Sequence, residues 1–556
     1  MASTKASPMC IPSHSEPPTR NTSCKSLTGG TASSISGSYF GSVIHNRRRR
    51  SSAFGAASAT SPASPQRLMT SAMTSRKLSR TRRLSEVARP VTSAGSAGAA
   101  KPAKSNRIPT TKEDITRSWV RLIVNQYLNK LEQPILTSEE QILNFEVINC
   151  KSGAGDFSCT YKIDVAVGHS NDSVESLSFI AKLLPQEDAD RAHVFEAGLL
   201  EKEIEVYFEV LPSLQQFLRT QRSGDHSEIV EAHVPECIYG RHNMDGAGIL
   251  VFNSGLQKGF AQFSDPEGLT RRELVLVVET MARIHASGKA LLNAKTAKAV
   301  KNRYPYLTRD MYSNGMLKNE LERQLQIYGD FLASGPDTSE MRVARSAFER
   351  LRASVSVADM LVGLKRQGPA SLNTIIHGEL WEKNILLRPS DSQVMVLDWK
   401  NAKVATPTLD LAFLIYSSTN VELLGDNGHL PFLEAYFRAF CATLDKLDGA
   451  CVKPTFRELE RDFRLSLRDA LLQAICMLVA EMQYLDEMTA SVTAGVAQAE
   501  TLQLYERRAM NLLTGINVDL VASNPGSPEG TEFASSSPFA GASGTFGISL
   551  SSDEEM

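Results

Sequence analysis

The pattern of hydrophobic and polar positions changes twice along the 556-residue chain. Residues 1–110 and those after about 522 are rich in Ser, Ala, Gly and Pro and lack any sustained period of two or 3.6. Such segments bury too little apolar surface to offset their ordering entropy, so we predict disordered tails over 1–110 and 523–556. The folded part is predicted to begin near Thr111, which forms a capping-box pattern with Asp114.

Strand-like patterns dominate the first part of the folded region. Apolar residues predict strands over Phe145–Cys150, 157–167 and Leu177–Leu184, the second of them with clear alternation. A helix is predicted over Ala189–Leu211, ended by Pro212 because proline cannot donate a backbone hydrogen bond. We therefore expect a small antiparallel sheet with one helix packed near it.

Helical patterns dominate the remainder of the chain. Helices are predicted over Arg271–Leu292 and between Leu409 and about Ile516. Two short strands, Ile385–Leu387 and Val394–Leu397, flank a turn rich in Pro, Ser and Asp and predict a hairpin. The change from strands to helices follows 249–254, which reads equally well as an interlobe hinge or as a plain linker.

These elements predict an α+β fold with two lobes. A small β-rich lobe with one key helix spans 111–255, and a larger, mainly helical lobe spans 256–522. The composition, 42% hydrophobic and 22% charged residues, is that of an ordinary globular protein. No apolar run approaches the roughly 18 residues that cross a bilayer. Eight cysteines without metal-ligand or disulfide-framework spacing favour a reducing compartment.

Charge is distributed unevenly along the sequence. Residues 1–110 contain 17 Lys and Arg residues against two acidic ones, whereas the remainder carries a net charge of −17. The basic tail is interpreted as an arm for an anionic membrane surface or nucleic acid, tunable by regulatory kinases at Ser52 and Ser85. A passive extension and a transit peptide are the alternatives. We expect a cytoplasmic protein, with an organelle as the alternative location; the sequence leaves the oligomeric state open.

The most informative chemistry lies around the predicted hairpin. His377-Gly378-Glu379-Leu380-Trp381-Glu382-Lys383-Asn384 precedes it, and Val396-Leu397-Asp398-Trp399 closes it. Phosphoryl transfer needs a carboxylate that accepts the attacking hydroxyl's proton, and oxygen ligands that hold Mg²⁺ on the phosphates. Glu379 is the candidate for the first role, and Asn384 and Asp398 for the second. The alternative is that all three are surface loop groups.

Two upstream features fit the same chemistry. Lys182 lies within an apolar strand, and Glu203 interrupts the apolar face of the next helix, so the two are predicted to pair. Lys182 would then be presented to nucleotide phosphates; an ordinary surface glutamate is the alternative. The turn containing Gly153, Gly155 and Ser158 could cradle phosphates through its backbone N–H groups, although glycines of this spacing also occur in plain hairpins.

The sequence resembles the ecdysteroid kinase-like, or CHK-type, family, relatives of choline and aminoglycoside kinases with a protein-kinase-like fold. The resemblance covers about residues 115–515 and is most specific in 377–398. The supporting motifs are Gly155-Asp156-Phe157-Ser158-Cys159, Lys182, Phe195, Glu203 to Tyr207, Leu211-Pro212, Arg283-Ile284-His285-Ala286 and Asp410-Leu411-Ala412. It implies a bilobal kinase that uses ATP and Mg²⁺ to phosphorylate a hydroxyl of a sterol-like or amino-alcohol molecule.

Three positions depart from the family pattern. Glu379 stands where the family has its catalytic Asp, Lys400 stands where it has Gln, and the hinge reads Phe252-Asn253-Ser254. A displaced catalytic group can cost about 10²-fold in rate. The competing hypothesis is therefore a pseudokinase, a nucleotide-binding scaffold that acts through interactions. His377 is expected to fix the loop by hydrogen bonds rather than to take part in chemistry, and Asp410 to restrain the loop or to cap a helix. His285 is expected to be a satisfied core histidine rather than a ligand.

Overall fold

The computed structural model describes residues 107–150, 158–169, 173–243, 246–263, 267–308, 315–425, 427–447, 451–489 and 496–513. Most of the predicted tails lies outside these residues, as do Gly153, Gly155, Ser52 and Ser85. Ile108 is buried in the first lobe, so core packing begins slightly ahead of the predicted start at Thr111.

The first lobe is built on an antiparallel sheet of five strands in the order β1-β2-β3-β5-β4. The three predicted strands are present, and Gly248–Asn253, which the sequence leaves open as hinge or linker, is the strand that pairs with both β3 and β4. The strands are β1 Ile142–Cys150, β2 Cys159–Gly168, β3 Val174–Leu183, β4 Cys237–His242 and β5 Gly248–Asn253.

Helix α1, Arg117–Lys130, packs its apolar side against one face of this sheet. Thr116 caps it by accepting a hydrogen bond from the backbone N–H of Trp119. The predicted capping box at Thr111 and Asp114 is present, but it closes only a single turn, because the chain leaves the helical conformation at Ile115. The long helix therefore begins five residues later than the capping motif alone suggests, at Arg117 rather than at Lys112.

The helical segment that crosses the other face of the sheet is broken and longer than predicted. It comprises α2 Asp188–Glu196, α3 Leu199–Glu205, a π-helical turn Val206–Val210, and α4 Leu211–Arg219. Gly198, with a φ of 64°, breaks it. Pro212 does not end it, contrary to the sequence prediction. The proline stands in the first turn of α4, directly after the π-helical turn, and the helix continues through it to Arg219.

The second lobe is mainly helical, as predicted. Two small sheets, with strand orders β10-β7 and β6-β8-β9, lie among its helices. A short helix, α5 Glu228–Glu231, precedes strand β4. The helices of the second lobe are α6 Arg271–Lys295, α7 Ala297–Arg303, α8 Gly315–Ser334, α9 Ser339–Ser354, α10 Val357–Gly363, α11 Thr408–Ser418, α12 Leu430–Lys446, α13 Phe456–Thr489 and α14 Val496–Asn511. Its strands are β6 Ala261–Gln262, β7 Thr374–Ile376, β8 Ile385–Arg388, β9 Gln393–Val396 and β10 Lys403–Ala405.

Strand alternation decides which side chains of the first lobe face the second. Phe179, Ala181 and Leu183 point into the core beneath α1. Lys182 therefore points to the opposite face, towards α3 and the second lobe. The α+β architecture, a β-rich lobe followed by a mainly helical lobe, is the one predicted from the sequence. None of the helices in the described part of the chain combines the length and apolarity needed to cross a membrane.

Candidate functional site

The predicted pair of Lys182 and Glu203 is present. Lys182 Nζ lies 2.8 Å from Glu203 Oε2, and the Glu203 side chain is only 2% exposed. Burial raises the pKa of the Glu203 carboxyl to about 7, against the opposing effect of Lys182. The same ammonium contacts Asp398 Oδ1, also at 2.8 Å. Lys182 therefore joins the sheet of the first lobe, helix α3 and the end of the hairpin in the second lobe.

The loop from His377 to Asn384 follows strand β7 and is fixed by Asp410 of helix α11. The Asp410 carboxylate accepts hydrogen bonds from the backbone N–H groups of His377 and Gly378, both at 2.7 Å. Burial raises the pKa of Asp410, but hydrogen bonds from His285 and the loop outweigh burial, and the pKa is below its usual range. Gly378 has a φ of 84°, which a residue with a Cβ adopts only under strain. The restraining role expected of Asp410 is confirmed.

Histidines secure the loop, as the sequence predicts. The His377 ring nitrogen Nε2 lies 2.6 Å from the carbonyl oxygen of Leu397, a contact that ties the loop to the hairpin. His285 is fully buried between Tyr436 and Asp410, with its ring nitrogens 3.0 and 3.3 Å from their oxygens. His285 is thus a satisfied core histidine.

The hairpin brings the two predicted metal-binding residues to one place. The backbone N–H of Leu397 donates to the carbonyl oxygen of Asn384 at 2.8 Å, one residue before Asp398. The Asn384 amide donates to the Glu379 carbonyl oxygen at 2.9 Å, which leaves the Asn384 side-chain oxygen without a hydrogen-bond donor among the described residues. Asp398 adopts the left-handed conformation, with φ and ψ both 61°. Such strain at a non-glycine residue is characteristic of functional sites.

Lys400 occupies the space between the two acidic groups assigned to chemistry. Its ammonium contacts Asp398 Oδ2 and lies 3.2 Å from Glu379 Oε2. Asn401 donates to the same Glu379 oxygen at 2.5 Å. Burial alone lowers the pKa of the Lys400 amine, but Asp398 and Glu379 outweigh burial and hold it well above its usual range. Burial likewise raises the pKa of Asp398, yet Lys182 and Lys400 bring it below its usual range.

These five side chains, Lys182, Glu203, Glu379, Asp398 and Lys400, are called the charged cluster below. Ser158 lies in the same region, since it lines a cleft with Lys182, Glu203 and Lys400 between the sheet and α3. The contacts thus connect the predicted site residues that the structure describes: Lys182 contacts Glu203 and Asp398, Lys400 bridges Asp398 and Glu379, and Asn384 donates to the Glu379 carbonyl oxygen. The roles assigned to them stay predictions, and Gly153 and Gly155 lie outside the described residues.

A buried ion pair behind the loop was not predicted from sequence. Arg508 of helix α14 donates two hydrogen bonds of 2.9 Å to the carboxylate of Glu382, which also accepts one from Tyr505 at 2.8 Å. The signal was present, because Tyr505, Arg508 and Leu512 are spaced three and four residues apart, so Arg508 interrupts an apolar helix face. The same reasoning that identified Glu203 therefore identifies Arg508.

The donor set suits a magnesium ion bound together with phosphates. Mg²⁺ in such sites takes one or two carboxylates and completes its shell with phosphate oxygens and water. Asp398 supplies a carboxylate, and Asn384 supplies a side-chain oxygen that no described residue engages. No cluster of three His, Cys, Asp or Glu side chains suited to a metal occurs in the described ranges. The two oxygen donors are compatible with an ion whose shell is completed by phosphate oxygens and water.

Comparison with solved structures returns kinases and a phosphotransferase. Ethanolamine kinase from Plasmodium vivax is 10% identical, with 73% of this chain and 88% of the other covered and a TM-score of 0.35. Choline kinase from Cryptosporidium parvum is 12% identical, with 71% of this chain and 94% of the other covered and a TM-score of 0.34. Macrolide 2'-phosphotransferase type I is 13% identical, with 68% of this chain and 98% of the other covered and a TM-score of 0.31.

Sequence comparison gives the family. No curated protein matches the chain. The sequence profile of the ecdysteroid kinase-like family matches residues 153–449, which include the glycine turn, Lys182, Glu203, the 377–384 loop and Asp398. This match extends over more than half of the chain and contains every residue of the charged cluster. The chain belongs to the ecdysteroid kinase-like family.

Proposed function

We propose that the protein is an ATP- and Mg²⁺-dependent kinase that phosphorylates a hydroxyl group of a small molecule. The observation that carries this proposal is the position of Lys182, whose ammonium lies 2.8 Å from both Glu203 and Asp398. A cation held in this way beside a candidate metal ligand is suited to orient nucleotide phosphates. The acceptor is a sterol-like or amino-alcohol molecule, the classes that the family resemblance implies.

Each residue of the site has a proposed role in phosphoryl transfer. Lys182, held by Glu203, positions the phosphates, and Asn384 and Asp398 hold Mg²⁺, which neutralises phosphate charge when bound. The oxygen of the acceptor hydroxyl forms a bond to the γ-phosphorus, and the bond between that phosphorus and the β,γ-bridging oxygen breaks. The phosphorylated acceptor and ADP are the products. The hydroxyl proton passes to the Glu379 carboxylate.

One observation favours a second candidate, a nucleotide-binding protein that transfers no phosphate. Glu379 Oε2 lies 3.2 Å from the Lys400 ammonium and accepts a hydrogen bond of 2.5 Å from Asn401, so this oxygen is already engaged and is less available to a substrate hydroxyl. The substitution Glu379→Asp distinguishes the two functions. A near-zero wild-type rate that rises strongly in Glu379→Asp identifies the scaffold, whereas an active wild type that loses activity identifies the kinase.

Thermal unfolding with and without Mg-ATP tests the nucleotide-binding part of the proposal. A ligand that binds only the folded state raises the unfolding temperature. We expect Mg-ATP to stabilise the wild type, and to stabilise Asp398→Asn much less. Arg303→Gln is the control. Arg303 is an exposed residue that forms a surface ion pair with Glu209 at 3.2 Å. Equal shifts in the wild type and Asp398→Asn would contradict the proposed site.

A further inference from the structure

The Lys400 ammonium is a buried cation that contacts Asp398, one of the two candidate metal ligands. It follows Asp398 by two residues, in the single turn Trp399–Asn401, and its side chain is 8% exposed. A buried amine is costly unless it is paired, and here it contacts the carboxylates of both Asp398 and Glu379. The folded protein thus holds this charge in place before any ligand binds.

The balance of charge indicates what this cation does. The charged cluster contains three carboxylates and two ammonium groups. Without Lys400, three carboxylates would face Lys182 alone, and the added phosphates of a nucleotide would be repelled. In kinases with two Mg²⁺ ions, the ions relieve this repulsion. Lys400 contributes one positive charge at the same place without a dissociable ion.

The contacts also limit how many ions fit. Asp398 Oδ1 is 2.8 Å from Lys182, and its other oxygen contacts Lys400. Mg²⁺ takes ligand oxygens at about 2.0–2.1 Å, so an ion bound by both Asp398 Oδ2 and Glu379 Oε2 would occupy the space that the Lys400 ammonium fills between them. Lys400 has little room to move, because it is buried and bound to two carboxylates. One ion at Asn384 and Asp398, with Lys182 displaced onto the phosphates, is compatible with this arrangement, whereas a second ion between Asp398 and Glu379 is not.

We propose that the Lys400 ammonium is a built-in cation that replaces one of two divalent ions, so that the protein binds nucleoside phosphates without a divalent metal. This inference rests on the proposed nucleotide site and specifies how that site recognises charge. It also assigns Lys400 as a positioning and binding residue, in contrast to the glutamine that the family pattern has at this position. The protein should accordingly take up one divalent ion per nucleotide rather than two.

Calorimetric titration of ADP in EDTA and in Mg²⁺ tests the inference. For the wild type we expect binding in EDTA that is within a few fold of binding in Mg²⁺. Lys400→Gln should lose about tenfold or more in EDTA, as expected for removal of a close charge, and recover in Mg²⁺. Lys400→Arg, which keeps the charge, should retain metal-free binding. Lys289→Gln is the matched control, since Lys289 is also buried but donates to the Ala370 carbonyl oxygen.

A second readout counts the ions. Titration of Mn²⁺ followed by electron paramagnetic resonance, in the presence of ADP, should give one bound ion for the wild type and two for Lys400→Gln. Wild type that binds ADP only with Mg²⁺, or Lys400→Gln indistinguishable from wild type in EDTA, overturns the inference and leaves the proposed kinase function intact. Absence of ADP binding under every condition overturns both. If Lys400→Gln does not fold, the wild-type titration in EDTA still decides the outcome.

Discussion

Lys182 of the first lobe lies 2.8 Å from Asp398 of the second, although 216 residues separate them in the sequence. Strand alternation directs the lysine towards helix α3, and the hairpin formed by β8 and β9 delivers the aspartate. Glu203 holds the same ammonium from the side of α3. Three separate elements thus converge on one cation, whose side chain is only 14% exposed, unlike that of a surface ion pair.

The pair of Lys182 and Glu203 predicts a specific stability pattern. Lys182→Met leaves the Glu203 carboxylate buried without its ammonium partner, and we expect the free energy of unfolding to fall by about 3–5 kcal/mol at pH 8. Lys182→Met combined with Glu203→Gln should recover a substantial part of that loss, because the uncompensated charge is gone. Urea unfolding of the wild type, both single variants and the double variant measures this coupling. Additive losses in the double variant would contradict the pairing.

At position 378, we predict that any residue with a Cβ destabilises the loop. The φ of 84° at Gly378 disfavours any residue with a Cβ, and a Cβ there would collide with the carbonyl oxygen of Asn401. We expect Gly378→Ala to destabilise the protein by about 1–3 kcal/mol and to lower nucleotide affinity, since Asn401 also holds Glu379. Gly224→Ala is the control: its φ is also positive, but a Cβ there meets no atom within 4 Å. A larger functional loss in the control would be inconsistent with this account.

The ion pair between Arg508 and Glu382 predicts that helix α14 stabilises the 377–384 loop. Arg508→Ala removes both hydrogen bonds to Glu382 and leaves that carboxylate buried at 7% side-chain exposure. Loss of one partner of a buried ion pair typically costs about 3–5 kcal/mol. We expect Glu382→Gln combined with Arg508→Met to be more stable than Arg508→Ala. Thermal unfolding of the variants tests this. Arg507 is the neighbouring residue, and its side chain is 61% exposed, so Arg507→Ala should have little effect.

His429 predicts how stability depends on pH. Burial lowers the pKa of His429 from its ordinary value of 6.5 to about 4, with a smaller effect of Arg464 in the same direction. The unfolded chain therefore binds a proton at His429 that the folded protein excludes, and stability falls as the pH drops from 6.5 towards 4.

His429→Phe should weaken this dependence. The substitution retains ring packing on Phe463, whose ring centroid is 5.2 Å away, and removes the titrating group. Urea unfolding at several pH values between 4 and 7 compares the two proteins. A wild type and a His429→Phe variant whose stabilities change in parallel over this range would contradict the assignment.

The sequence supported the prediction of much of the fold for identifiable reasons. The alternation in β2, the apolar run around Lys182 and the turn residues of the hairpin are local signals, and each produced the predicted element. The break at Gly198 and the continuation through Pro212 were not predictable in the same way. They depend on the packing of α3 and on the π-helical turn, which the local pattern does not encode.

The candidate site was predictable where a charged residue interrupts an apolar pattern in the sequence, because such a residue is expected to be buried and paired. Glu203 interrupts an apolar helix face, so its cationic partner could be inferred, and Lys182 was the nearest candidate. Lys400 was recognised as a departure from the family pattern, but not as a residue that contacts both Glu379 and Asp398. That arrangement depends on the left-handed backbone of Asp398, which only the folded turn defines.

Phosphoryl transfer from isotopically labelled ATP tests the central claim most directly. The full-length protein is incubated with ATP carrying ¹⁸O in its γ-phosphate, Mg²⁺ and a panel of sterols and amino alcohols, and products are analysed by mass spectrometry. The account predicts that at least one hydroxylated compound gains the labelled phosphoryl group, and that Lys182→Met and Asp398→Asn abolish this product. Unlabelled acceptors throughout the panel, with labelled phosphate released to water at the same rate by wild type and Asp398→Asn, would contradict it.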